Sequence, residues 1–351
     1  MVTGLRHRLF AAGFAALDGL RADLWLSPVA RGAGVILMFH HVRPWTEREF
    51  APNRILEITP AFLDRTLTLL RAMNFDIVAL DEVPERLAQS APHPFAALTF
   101  DDGYRDNRDH AWPVLRRHGA PWTMFVTADY AAGRGRLWWL ELEEAIARLD
   151  HVSLDLEGQR IERPCATPAD KAAAFETVYW ALRAGPEDRL LAAVGELAAA
   201  AGLDSAALVQ KLCLGWDEIA ALGREPGVTI GAHTVSHPML KKHPEEAARR
   251  EIAFSKSLIE ERIRRPVRHF AYPVGDPTSA GPRDFALAAE AGFSTAVTTR
   301  PGHCFAAHAA HPHALPRVSI NGAFQTESAL RAMLSGAPFL AWNRGRRVNV
   351  A

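Results

Sequence analysis

Short apolar runs recur along this chain, separated by longer helical patterns, and that alternation most constrains what it can become. Runs at 34–39, 75–80, 95–100, 121–127, 228–232, 268–272 and 294–298 have the length and composition of buried strands. Helical patterns fall at 60–73, 107–118, 244–263 and 286–291, and Asp81 is placed to cap a further helix. Strands alternating with helices predict an α/β protein with parallel strands. The chain has 351 residues, 48% of them hydrophobic, which is enough for a sizeable core.

The rhythm breaks from Trp138 to about Lys211. Segments such as AAAFETVYWALRAG and RLLAAVGELAAAAGL are rich in Ala, Leu and Glu. They predict a mostly helical insertion, at about 138–211, between two strands. At the N-terminus, Leu5, Leu9, Ala12, Ala16, Leu20 and Leu24 fall near helical spacing, so residues 1–32 read as an amphipathic helical segment. Asp18 interrupts the apolar run and no cleavage site is clear, which argues against a signal peptide. The run is also too short to span a bilayer. The helix is expected to pack on its own domain or to rest on a membrane surface. A cytoplasmic location follows as the expectation, at the membrane surface in the second case.

Lys and Arg total 40 and Asp and Glu total 40. No basic stripe of the kind that attracts nucleic acid is present, so no nucleic-acid partner is expected. Cys165, Cys213 and Cys304 are far apart, which argues against a disulfide framework and a cysteine-rich zinc site.

Two segments carry the chemistry. In TFDDGY, Asp101 and Asp102 end an apolar run and Gly103 follows. Strand C-terminal ends are where α/β proteins bind ligands, although Asp-Gly also makes ordinary turns. In HTVSHP, His233 and His237 stand four apart at the end of another run. They converge on one ion if the segment curls as a helical turn; otherwise they are surface histidines. Taken together, one carboxylate and two imidazoles make a three-ligand metal site with open positions. The remaining carboxylate is then free to take a proton from water. Four further histidines, between His303 and His313, read as a solvated loop.

TFDDGY and HTVSHP resemble the first two motifs of the polysaccharide deacetylase family, the NodB-homology enzymes. The segment Phe270-Ala271-Tyr272-Pro273-Val274-Gly275-Asp276 is similar to the third. The resemblance implies a distorted (β/α) barrel of about seven strands. It implies Asp101 as catalytic base and Asp102, His233 and His237 as ligands of one divalent metal ion. Zinc suits these ligands; cobalt, nickel or manganese could occupy them. The N–H of Val274 is a candidate oxyanion donor, and Tyr272 a candidate pocket residue. The implied activity removes N-acetyl groups from N-acetylhexosamine units of a poly-, oligo- or lipid-linked saccharide. The same site could instead hydrolyse a non-sugar amide or an O-acetyl ester, or the chain could bind carbohydrate without catalysis. An iron(II) oxygenase also uses two His and one carboxylate, but the α/β alternation argues against it.

The sequence departs from many members of that family. Ala271 stands where an Arg orients the base, and no Trp occurs near 297–302. Leu315-Pro316-Arg317 stands where a Leu-x-His supplies the general acid. The segment from Val35 to Val42 resembles the YH-V segment of a branch that acts on poly-N-acetylglucosamine, where the acid comes from the N-terminal side. His40 is the candidate acid and His41 the second choice. Arg317 is expected to orient Asp101, to bind substrate, or to form a plain salt bridge. Trp138 and Trp139 could stack on a sugar ring or pack in the core.

Overall fold

The computed structural model describes residues 4–89, 93–156 and 158–350. Seven parallel strands close into a barrel: β1 (Gly34–Phe39), β2 (Phe95–Phe100), β3 (Trp122–Val126), β4 (Val228–Ala232), β5 (His269–Ala271), β6 (Thr295–Pro301) and β7 (Leu315–Ser319). The ring runs β1-β7-β6-β5-β4-β3-β2 and closes by pairing β2 with β1, from Gly34↔Phe95 to Phe39↔Phe100.

Four sequence expectations change here. The run at 75–80 forms only a short strand, Asp76–Val78, outside the ring. It pairs with the first half of β2, and β3 takes the second half of that same edge. The seventh ring strand is β7, which the apolar pattern hides because Pro316 and Arg317 interrupt it. The helical pattern at 107–118 is also divided. A π-helical turn at Asn107–Ala111 precedes an α-helix at Trp112–Arg117. Pro113 has no N–H to donate to the turn before it, which is where the helix widens. Asp81 lies inside a 3₁₀ turn, Leu80–Glu82, rather than capping the helix Val83–Ala88.

The period of two along each strand sorts side chains between two cores. Val35, Leu37 and Phe39 of β1, with Ala96, Leu98 and Phe100 of β2, pack outward against the surrounding helices. Ile36, Phe95, Ala97, Phe125, Ala271, Val297 and Leu315 fill the barrel interior. Gly231 is required by this packing: a Cβ there would lie 2.5 Å from the Phe125 ring.

The insertion is mostly helical, as expected, and it also holds a hairpin that the sequence reading did not place. Helices Trp138–Arg148, Pro168–Ala184, Glu187–Ala200 and Ser205–Leu212 enclose an antiparallel hairpin, His151–Leu156 with Gln159–Pro164. Val152 and Leu154 are buried while His151, Ser153 and Asp155 are exposed, the alternation of a strand with one wet face. The insertion has its own apolar core, which includes Leu142, Ile146, Phe175, Val178, Leu190 and Val194.

At the N-terminus, helix Gly4–Gly19 packs against helix Glu327–Leu334. Phe14 meets Phe324 edge-on at 5.1 Å, and Asp18 pairs with Arg331 at 3.2 Å.

Candidate active site

The inward parity of β1 and β2 continues beyond their ends. Met38 and His40 of the β1 row, and Asp101 after β2, face one cavity of about 290 Å³ at the C-terminal mouth of the barrel. Asp101 is fixed by its own N–H, which donates to Phe39 O at 3.0 Å. Arg317 shares the inward parity of Leu315. Its Nη1 and Nη2 each donate to one Asp101 oxygen, both at 2.7 Å. Its Nε donates to Thr298 O and its Nη1 also to Thr99 Oγ1, so the guanidinium is clamped from three sides. Burial alone would raise the Asp101 carboxyl, but Arg317 outweighs it and holds the group below its ordinary value.

Asp102 would point away from the cavity if the strand continued. It has φ +71° instead, followed by Gly103 at +69°, and this turn brings the second carboxylate back to the site. Asp102 Oδ1 lies 3.4 Å from His233 Nε2 and 3.3 Å from His237 Nε2. His233 Nδ1 donates to Ala271 O at 2.7 Å, which leaves Nε2 as the lone-pair nitrogen facing Asp102. His233 and His237 do not converge through a helical turn, which corrects that expectation. Thr234 and His237 take left-handed backbone, φ +64° and +65°. Thr234 Oγ1 accepts the His237 N–H, and the Glu251 carboxylate accepts Val235 N–H, Ser236 N–H and Ser236 Oγ–H.

This donor set fits a metal ion. The three ligand atoms lie within 4.8 Å of one another, and all three residues are buried. Asp102 Oδ1 has no hydrogen-bond partner among the described residues, so an acceptor is left for a cation. Burial would raise the Asp102 carboxyl, but His233 and His237 hold it well below the usual range.

The two candidate acids separate. His40 is half-buried and lines the cavity with both aspartates. Burial lowers its pKa, opposed in part by Asp102 and Asp101. His41 is buried outside the cavity. Its Nδ1 meets Asp106 Oδ2 at 2.6 Å and its ring stacks on Tyr104 at 3.6 Å.

Tyr272 is not a pocket residue, which corrects that assignment. It shares the outward parity of Phe270, packs on Phe270 and Phe285, and donates its hydroxyl to His313 O at 2.8 Å. Val274, two residues on, does line the cavity. Its φ is +60°, and among the described residues no acceptor takes its N–H.

The insertion forms the opposite wall. Trp138 and Trp139 open onto the cavity, with the Trp139 ring 5.0 Å from that of His237. Phe175, Tyr179 and Arg183 line it as well, and the sequence reading missed them. They stand four apart on one helix, so an i, i+4, i+8 stripe was the available signal. Arg183 donates to Asp276 at 3.0 Å and so ties this wall to the loop that carries Val274.

The histidines between 303 and 313 do not converge. His303 and His308 are buried, not solvated as expected, and both are pushed down to about 4 by burial. The ring nitrogens of His303 face Arg31 O and Met333 O. The three cysteines are buried and free.

In comparison with known proteins, the polysaccharide deacetylase family profile matches residues 88–160 and 171–295. The match begins after His40 and ends before Arg317. No curated protein matches the chain in sequence. Among solved structures the fold is similar to Streptococcus pyogenes deacetylase PplD in complex with acetate. That likeness has 19% identity and TM-score 0.55, covering 85% of this chain and 97% of that one. IcaB from Ammonifex degensii is similar at 18% identity and TM-score 0.53, covering 87% and 96%. The de-N-acetylase from Aggregatibacter actinomycetemcomitans is similar at 12% identity and TM-score 0.52, covering 86% and 99%.

Proposed function

The chain belongs to the polysaccharide deacetylase family, whose profile matches more than half of it, and on that premise we propose that it is a metal-dependent N-deacetylase. Its substrate is an N-acetylhexosamine unit of a poly-, oligo- or lipid-linked saccharide. One observation carries this reading: Asp101, clamped by Arg317, shares a cavity with His40 and with the Asp102, His233 and His237 cluster.

Asp102, His233 and His237 would hold one divalent ion. Two imidazoles and a carboxylate suit zinc, and cobalt, nickel or manganese accept the same donors. When bound, the ion supplies Lewis-acid polarisation of the acyl oxygen and acidifies water. Asp101 takes the proton of the attacking water at a carboxylate oxygen. Arg317 fixes both of those oxygens and keeps the group charged, so it positions the base. The Val274 N–H donates to the developing oxyanion. His40 gives a proton to the departing amine nitrogen, and its place on the cavity favours it over His41. Trp138, Trp139 and Tyr179 take the apolar face of the sugar and keep bulk water out.

A second reading keeps this chemistry and changes the substrate to a non-sugar amide or an O-acetyl ester. The wall of Trp138, Trp139, Phe175, Ile55 and Leu56 favours a substrate with an apolar part. The test is acetate release from N-acetylglucosamine oligomers by the purified chain, with chelator and then with added zinc. Chelator-sensitive release supports N-deacetylation. No release from a sample carrying stoichiometric metal, with turnover of an ester or a non-sugar amide, moves the assignment to the second reading.

A further inference from the structure

The N-terminal helix is turned the opposite way from what its sequence pattern invites. Its spaced apolar stripe should seek the core. Yet Leu9, Ala12, Ala16 and Leu20 of that stripe are exposed, with Leu9 at 64% and Leu20 at 66%. Phe14 meets the domain instead, against Phe324. The helix therefore has two apolar sides, and only one of them is covered.

The exposed side continues onto neighbouring elements. Leu24 and Trp25 follow on the short helix Ala22–Trp25, and Trp342 on the helix Ala337–Trp342 lies 6.1 Å from Phe10. Among the described residues, the remaining exposed large apolar side chains near this surface are Phe10 and Val29, while Trp45, Trp180 and Phe254 are scattered elsewhere. An apolar patch of this kind marks a contact surface.

Charge points to the occupant. Residues 4–33 and 337–350 together hold seven arginines against two aspartates, in a chain whose formal net charge is zero. Arg344, Arg346 and Arg347 are exposed just after Trp342. One of the two aspartates, Asp18, is already paired with Arg331. A second copy docking through the same face would bring the two sets of arginines together. An anionic lipid surface would meet both the apolar side chains and the arginines. Two tryptophans, Trp25 and Trp342, lie within the patch, the residue type that settles at the lipid headgroup level. No single helix among the described residues is long and apolar enough to cross a membrane. We infer that this face docks on the surface of an anionic membrane, with the Gly4–Gly19 helix lying in the interface plane. The inference does not rest on the deacetylase reading.

The test floats the full chain with two vesicle types, one of phosphatidylcholine alone and one of phosphatidylcholine and phosphatidylglycerol in equal amounts. The chain is expected to rise with the anionic vesicles and to fall away as salt is added. The triple variant Leu9→Glu, Leu20→Glu, Leu24→Glu is expected to lose about ten-fold or more of this binding. Its melting temperature should hold, because all three positions are exposed. Replacing Arg344, Arg346 and Arg347 with Gln should weaken binding about five-fold per arginine at low salt. The inference is overturned if the wild-type chain floats with neither vesicle, or if the triple-Glu variant floats as well as wild type. It is equally overturned if the chain forms a dimer that the triple-Glu variant dissociates while vesicles are ignored; a second copy then covers the face.

Discussion

The two halves of the site are built by different means. Asp101, His40 and Arg317 lie in the inward row of regular strands or their immediate continuation, so the period of two aims them without strain. Of the three residues in the other half, His233 continues the inward row of β4, but Asp102 and His237 do not follow such a row. Asp102, Thr234 and His237 all take left-handed backbone, as does Val274 across the cavity. Each such non-glycine residue costs about 1–3 kcal/mol, and it persists only where the surroundings over-determine it. Proton transfer can be served by side chains that a strand already presents. Convergence of three ligand atoms on one point cannot, because neighbouring strand residues diverge.

That contrast is sharpest at Asp101 and Asp102. Asp101→Asn is expected to lower kcat by about 10³-fold, within the range for a lost general base, and to leave metal content unchanged. Stoichiometric metal with near wild-type turnover would remove Asp101 as base. Arg317→Met leaves the buried Asp101 charge unpaired and is expected to cost about 3–5 kcal/mol of stability in denaturant unfolding. A loss below about 1 kcal/mol would mean that the clamp is not what keeps Asp101 charged.

On the metal side, Glu251→Ala removes the acceptor of three donors in the Val235–Ser236 turn. Metal affinity measured by calorimetry is expected to fall about 10- to 100-fold, the usual effect of a lost supporting group. An unchanged affinity would show that the left-handed turn holds itself. The smallest effect is expected at Glu218, which accepts from Arg105 and Arg108 beyond the DDGY turn. Burial opposes its ionisation, but these arginines and the Gly215 N–H bring its pKa down to about 2 from 4.5. A depressed carboxyl adds stability above its unfolded value and loses it as pH falls towards the folded one. Glu218→Gln should therefore cost within about 1 kcal/mol at neutral pH, and the gap to wild type should close between pH 4.5 and 2 in thermal melts. A gap that persists at pH 2 would assign the effect to packing rather than charge.

Much of this molecule was legible from its residues. Six of the ring strands are apolar runs of strand length, and the two motif segments name both aspartates and both histidines of the cluster. The seventh strand was hidden because Arg317 is an inward-facing charge, which a pattern of apolar residues reads as a break. Tyr272 was misplaced because its motif neighbours suggest the pocket while its strand parity sends it outward. The hairpin at 151–164 sits in a stretch whose overall composition is helical, although its period-two alternation was present.

The sequence by itself determined an α/β class with parallel strands and the donor types of the cluster, because local period and residue type act over a few neighbouring positions; the barrel was implied by the family resemblance of the motifs. Only the tertiary structure decided what meets across the barrel mouth. Arg317 clamps Asp101 across 216 positions of chain. His40 rather than His41 faces the cavity, and Phe175, Tyr179 and Arg183 close its far wall. The outward turn of the N-terminal helix belongs to the same class. Both of its faces are apolar, so spacing alone could not choose between them; the aromatic contact with Phe324 did.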